Sequence, residues 1–345
     1  MKKNSFVLLL LISFFACKKE DLTAIKDLLT VRVNDADIYV RIEGNASAKK
    51  FILVLHGGPG SSGTQYRQGR YAEELEKNYA MIYMDQRGSG KSQGKYDKEA
   101  LEMDNLVNDV ITVAKTIKHK YGQDISLVLY GHSWGGMIGT ATLLETQNQK
   151  LFSGWIEANG VHDYPSVFRN EIKMFNEIGN QQIALGNSVS FWTEIQDSIS
   201  KMDTANLNLQ NIVYLNRKAS KAESHLREAA YIAFDSTPNF HGVSFWGGNS
   251  LTTKWSGLIT NNYTREVNQL HELSYTEKLY TIQIPTLLLY SKYDFVVPPE
   301  LGVSAYSRLG SINKKLIMFE YSGHSTMHYE TDKFVSSIIE FIDGL

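Results

Sequence analysis

Ile125-Ser126-Leu127-Val128-Leu129-Tyr130, running straight into Gly131-His132-Ser133-Trp134-Gly135-Gly136, is the stretch on which the fold turns. A short, nearly continuous apolar run reads as a strand buried on both faces of a sheet. Small residues Gly139, Thr140, Ala141 and Thr142 follow and read as a helix. Buried strand, glycine-flanked serine, helix is the context that G-x-S-x-G requires. The glycines have a physical reason. The turn is sharp, and the serine is held in a strained backbone conformation that lifts its hydroxyl off the sheet edge. A side chain at 131 or 135 would collide with the neighbouring strand or helix.

The same rhythm repeats on either side. Leu29 to Val33 and Ile38 to Arg41 are β-rich runs around Asn34-Asp35-Ala36-Asp37, a hairpin signature. Phe51 to Leu55 is a buried strand that stops at His56-Gly57-Gly58-Pro59-Gly60, and Ala80 to Met84 is another, ended by Asp85-Gln86-Arg87-Gly88-Ser89-Gly90. Leu106, Val110, Ala114 and Ile117 recur at helical spacing. Trp155 to Ala158, Pro285 to Tyr290 and Leu316 to Phe319 complete the strands, and Phe334 to Ile342 closes the chain as a helix. Strands alternating with helices predict an α/β fold with a doubly wound, mostly parallel sheet. The rhythm breaks from 161 to 282, where polar, aromatic, helix-period sequence predicts a mainly helical cap inserted into a core made of 29–160 and 283–345.

Serine is a poor nucleophile at neutral pH without a base. The order expected for this elbow is nucleophile, acid, base, at successive strand ends. Of nine histidines, His324 follows the last strand in Tyr321-Ser322-Gly323-His324-Ser325, with His328 as competitor four residues on. His324 is preferred because Gly323 lets its loop turn toward the nucleophile. Asp294, after Pro285 to Tyr290, is placed to orient the histidine and fix its tautomer. A tetrahedral intermediate also needs preorganised donors. The backbone N–H of Trp134 is one; Gly58, with Gly57 second, is the other.

The remaining numbers bound the partners. The chain has 345 residues, 43% hydrophobic and 21% charged, with a formal net charge of -2, so no global basic field collects nucleic acid. No metal-ligand cluster or nucleotide loop is present, and no cofactor is expected. Lys2 and Lys3 precede an apolar run, Phe6 to Phe15, too short to span a membrane, which ends at Ala16-Cys17. Cys17 is the single cysteine, so no intramolecular disulfide can form. Residues 1–17 read as a signal peptide. The segment resembles a lipoprotein signal with Cys17 as the lipidated residue, and Lys18-Lys19-Glu20-Asp21 resembles a surface-export tag of Bacteroidetes-type lipoproteins. That implies anchorage to a bacterial membrane in the cell envelope, with residues 18–28 as tether.

His-Gly-Gly-Pro-Gly at 56–60, Asp-Gln-Arg-Gly-Ser-Gly-Lys-Ser at 85–92, Gly-His-Ser-Trp-Gly-Gly at 131–136, Tyr-Asp at 293–294 and Gly-His-Ser at 323–325 together resemble the proline iminopeptidase family. The resemblance implies a capped α/β-hydrolase fold and release of N-terminal residues from short peptides. It places Ser133, Asp294 and His324 at the family's triad positions, and Gly58 and Trp134 at its oxyanion positions. Asp85 and Arg87 match a motif read as a loop buttress. Two departures stand out. His132 replaces the family's usual glycine, and no Trp-x-x-Trp-Glu stretch supplies the cap glutamate that receives the substrate's amine. Glu171, Glu177, Glu194, Glu223, Glu228 and Glu266 are available in the cap, each expected on a helix surface, with Glu157 as a candidate outside it. An esterase or lactonase on the same scaffold, or a lipid-anchored binding protein without catalysis, are the other readings.

Overall fold

The computed structural model describes residues 22–94, 96–233 and 251–345, with the side chains of 251–255 outside the description. Among them, eight strands form one sheet: β1 (Ile25–Val33), β2 (Ala36–Gly44), β3 (Lys50–Leu55), β4 (Ala80–Met84), β5 (Ser126–His132), β6 (Gly154–Ala158), β7 (Thr286–Ser291) and β8 (Lys314–Phe319). Their spatial order is β1-β2-β4-β3-β5-β6-β7-β8. β1 and β2 form a hairpin in which Val33 pairs with Ala36 across Asn34-Asp35. β2 runs antiparallel to β4, and every pairing from β4 onward to β8 is parallel.

One boundary is corrected. Residues 25–28, expected in the tether, belong to β1. Burial alternates along this strand, with Ile25 in the core and Lys26 exposed. A half-solvated strand exposes charge on its outer face, here Lys26, and Asp27 on the opposite face meets Tyr121 and Lys120, so the two charges together disguise it as linker.

Helices α1 (Gly63–Tyr66), α2 (Arg70–Asn78), α3 (Met103–Tyr121), α4 (Trp134–Leu144) and α5 (Thr146–Gln149) belong to the first half of the core. Between β6 and β7 lie α6 (Tyr164–Ala184), α7 (Val189–Ser200), α8 (Leu209–Glu228) and α9 (Leu251–Val267). α10 (Glu300–Arg308), α11 (Thr326–Tyr329) and α12 (Thr331–Asp343) complete the core. Side chains alternate across β3: Phe51, Leu53 and Leu55 join the core shared with α3, α4 and α10, while Ile52 and Val54 join the one shared with α2 and α12. This two-sided burial is why the strand reads as an unbroken apolar run.

The inserted helices have a core of their own, built from Phe175, Trp192, Ile195, Leu215 and Leu226. Phe295, from the loop after β7, inserts into it, with ring centroids 5.0 Å from Phe175 and 5.9 Å from Trp192. Burying that ring contributes about 2 kcal/mol and fastens the insert to the loop that carries Asp294. Trp192 is therefore a packing residue. Trp246 lies outside the described residues, as does the side chain of Trp255. The 56–60 loop, the Ser133 turn, the Asp294 loop and the His324 loop follow β3, β5, β7 and β8. All leave the carboxyl ends of parallel strands, the edge where open α/β sheets place their ligands.

Candidate active site

Ser133 joins β5 to α4 with φ 56° and ψ -123°, a conformation that side-chain-bearing residues adopt only under constraint. The flanking glycines permit it. A Cβ at 131 would lie 2.4 Å from the Gly135 carbonyl oxygen, and one at 135 would lie 2.1 Å from that of Leu55. Trp134 opens α4, so its N–H has no intrahelical acceptor. Its indole Nε1 donates to Gln86 Oε1 at 3.1 Å, and Gln86 Nε2 donates to the His56 carbonyl at 2.6 Å. Asp85 and Arg87 brace the same region. Asp85 accepts from the backbone N–H groups of Gly63 and Lys91, both at 2.7 Å, and the buried Arg87 forks onto Asp109 at 2.9 and 2.6 Å.

His132 occupies the family's glycine position and makes a chain of hydrogen bonds whose directions are forced. The His324 carbonyl can only accept, so His132 Nε2–H donates to it, at 2.9 Å. Nδ1 is then the acceptor, and Tyr66 OH donates to it at 2.6 Å. The Tyr66 oxygen in turn accepts from the Gly57 N–H at 2.9 Å. Burial, and then the neighbouring His324, push the His132 imidazole down to about 3, so it stays neutral. The chain ties the 56–60 loop to the His324 loop through the residue beside Ser133. It also engages the Gly57 N–H, which leaves Gly58 as the oxyanion candidate of the pair.

Asp294 and His324 meet in the structure. His324 Nδ1–H donates to Asp294 Oδ2 at 2.8 Å. The fully buried Asp294 also accepts from Asn159 Nδ2 at 2.7 Å and from the backbone N–H groups of Val296 and Val297 at 2.9 and 2.7 Å. Burial depresses the His324 imidazole most strongly of any single cause, but the Asp294 charge, its hydrogen bond and the Glu223 charge together outweigh it and hold the group above its ordinary value. With Nδ1 committed, Nε2 is left as the acceptor. Among the described residues no hydrogen bond joins Ser133 Oγ to His324, and such nucleophile–base contacts are often loose without substrate. His328 packs edge-on against Tyr71, with centroids 5.3 Å apart.

The cap acids divide. Glu177, Glu194, Glu228 and Glu266 are on the surface, as read. Glu171 and Glu223 are not; they are 2% and 6% exposed. Both sit on apolar stripes, Glu171 between Val167, Phe168, Met174 and Phe175 of α6, and Glu223 between Ala219 and Leu226 of α8. An acid at helical spacing with core residues was the available signal. Glu223 accepts from the backbone N–H groups of Phe295 and His324, at 3.2 and 3.1 Å, so a cap helix clasps both the acid loop and the base loop. A Cβ at Gly323 would lie 2.4 Å from Glu223 Oε2, so this glycine makes room for the carboxyl rather than serving as a hinge. Burial first, then Asp294, push Glu223 up to about 8. Glu171 Oε1 has no hydrogen-bond partner, and burial followed by Asp294 raises its carboxyl well above the ordinary range. Glu157 lies beneath the site beside His162, with 3.6 Å between Oε1 and Nδ1.

Ser133 lines a cleft that is partly open to solvent. Gly58, Val161, Tyr164, Phe168, Glu171 and Arg265 are among its walls. The family model for the alpha/beta hydrolase fold matches residues 50–331. The chain belongs to this family. Among α/β hydrolases, it is 24% identical to a proline iminopeptidase of Saccharolobus solfataricus over 312 residues, 90% of this chain and 91% of the relative. It is 24% identical to a proline iminopeptidase of Lactobacillus crispatus over 322 residues, 89% of this chain and 94% of the relative. Two of the solved structures that share its fold show the range of relatives. One is a proline iminopeptidase-related protein of Thermus thermophilus, with TM-score 0.63 and 18% identity over 93% of this chain and 98% of that one. The other is an esterase of Exiguobacterium antarcticum, with TM-score 0.57 and 18% identity over 92% and 100%.

Proposed function

We propose that this α/β hydrolase releases the N-terminal residue of short peptides through an acyl-enzyme on Ser133, with Glu171 receiving the substrate's free amine. His324 Nε2 takes the Ser133 proton as Oγ attacks the scissile carbonyl. The N–H groups of Gly58 and Trp134 stabilise the oxyanion. His324 then returns the proton to the departing amine, and water, activated the same way, releases the acylated residue and restores Ser133.

The observation that carries this reading is a buried carboxyl with an unpartnered oxygen in the same cleft as Ser133. An ammonium entering a partly dry site loses hydration at a cost of several kcal/mol unless a carboxylate meets it. Glu171, kept protonated by burial, has the opposite need. Transfer of its proton to an arriving neutral amine creates the ion pair within the site, so neither charge is stranded alone. The proline iminopeptidase relatives support the same activity class.

The test compares proline naphthylamide with its N-acetyl form and with a short-chain p-nitrophenyl ester. The free amine should be strongly preferred, and Glu171→Gln should lose on the order of 30-fold in kcat/KM on it while losing much less on the ester. Equal turnover of free and blocked amides, or turnover of the ester alone, would establish an esterase. The apolar wall of Val161, Val167, Phe168, Val296 and Val297 suits an acyl chain as well as a prolyl ring. Labelling of Ser133 by a fluorophosphonate would rule out a non-catalytic binding protein.

Cys17 lies outside the described residues, and its lipidation is part of the same proposal. A lone cysteine ending a short apolar segment supports it, with residues 18–24 as the tether before β1. Cys17→Ala should move the enzyme from the membrane to the soluble fraction; unchanged fractionation overturns the anchor.

A further inference from the structure

The cleft over Ser133 is lined by one acidic and one basic side chain. Glu171 comes from α6 and Arg265 from α9. α9 is seated on the loops of the core. Asn261 Nδ2 donates to the Pro59 carbonyl at 2.7 Å, and Thr260 Oγ1 donates to that of Gly88 at 2.7 Å. The backbones of Gly60 and Gly257 meet so closely that a Cβ on Gly60 would lie 2.1 Å from the Gly257 carbonyl oxygen. Arg265 is one turn beyond Asn261, and its Nε donates to Asn261 Oδ1 at 2.8 Å. The arginine is thereby held on a helix fixed beside the candidate oxyanion loop.

That single bond leaves Nη1 and Nη2 without a protein acceptor among the described residues, whereas Arg32, Arg41, Arg87 and Arg308 each meet a carboxylate. Arg265 and Glu171 form no ion pair with each other, although both line one cleft. The charge that acts on Glu171 is Asp294. An acidic and a basic side chain that share a cavity and do not satisfy one another fit a ligand that brings an amine at one end and a carboxylate at the other. Nη1 and Nη2 present a parallel pair of N–H donors, the geometry that holds a carboxylate bidentately.

We propose that Arg265 binds the free C-terminal carboxylate of the substrate, so that the preferred substrates are zwitterionic short peptides, dipeptides above all. This rests on the aminopeptidase reading, in which Glu171 holds the other end. With the amine there and the scissile carbonyl at Ser133, the remaining charge of a short peptide is its carboxylate, on the leaving side. An extended dipeptide spans roughly 7 Å. Each added residue moves the carboxylate farther from Arg265, so the preference falls with peptide length.

The experiment measures release of proline from Pro-Ala, from Pro-Ala amide and from proline naphthylamide. Wild-type enzyme should show kcat/KM at least about tenfold higher for Pro-Ala than for its amide, mainly through KM, the scale of one charged hydrogen-bonded contact. Arg265→Met should erase the difference, and Arg265→Lys should restore part of it. Equal kcat/KM for acid and amide in the wild type overturns the inference without recourse to any variant, and leaves the aminopeptidase reading standing. If no amide is cleaved while a p-nitrophenyl ester is, the aminopeptidase reading falls and this inference falls with it.

Discussion

Ser133→Ala is expected to lower kcat by about 10⁴ or more while the protein stays folded. The missing oxygen is the atom that would form the acyl-enzyme, and no other group in the cleft is placed to replace it. Alanine at 133 must still adopt the positive φ of 56°, which the flanking packing imposes. Ser133 Oγ makes no protein hydrogen bond among the described residues, so its loss orphans no buried partner. Circular dichroism and thermal melting should therefore match the wild type. The comparison is made on whichever substrate the wild type turns over best, and near-full activity in the variant would falsify the assignment.

Asp294→Asn should cost about as much, on the order of 10⁴ in kcat, because it inverts the hydrogen bond that sets the histidine tautomer. Asp294 Oδ2 accepts from His324 Nδ1–H and also from Asn159 Nδ2. An amide nitrogen at that position would face the Asn159 donor and turn His324 Nδ1 into an acceptor. Nε2 would then carry the proton, and the base would be unable to take one from Ser133. The pH profile gives a second readout. Catalysis needs neutral His324, so activity rises as pH passes its pKa. With the Asp294 charge in place that limb lies above the ordinary value of about 6.5. Without that charge, burial dominates and the residual activity should titrate lower. His324→Ala should match Asp294→Asn or exceed it, whereas His328→Ala should cost little. The reverse order would move the base to His328.

The core fold and the sites of chemistry were legible because each rests on a signal a few residues long. A buried parallel strand must be apolar on both faces, so β3, β5 and β7 announce themselves as runs. The elbow needs glycine at 131 and 135 because backbone atoms stand within about 2.5 Å of where a Cβ would go. The acid and base follow from strand order, since chain order decides which loops reach the sheet's carboxyl edge. β1 was partly missed because a strand solvated on one face carries charges that read as linker.

What only the tertiary structure decided is the environment of groups whose partners are far away in sequence. Whether Glu171 is a solvated surface acid or a buried, unpartnered one depends on what α6 packs against, and its periodicity alone did not outweigh its charge. Glu223 acquires its place from backbone groups about 70 and 100 residues later in the chain. His132 looked like a departure from a glycine pattern; Tyr66 on one side and the His324 carbonyl on the other give it its role. Arg265 lines the cleft because α9 docks on the Pro59 loop, its Asn261 reaching the Pro59 carbonyl 202 residues earlier. Local sequence determines backbone conformation and periodicity through short-range sterics. Desolvation and hydrogen-bond partnership are properties of the assembled interior, and they are what distinguish a buried, unpartnered acid from a surface one.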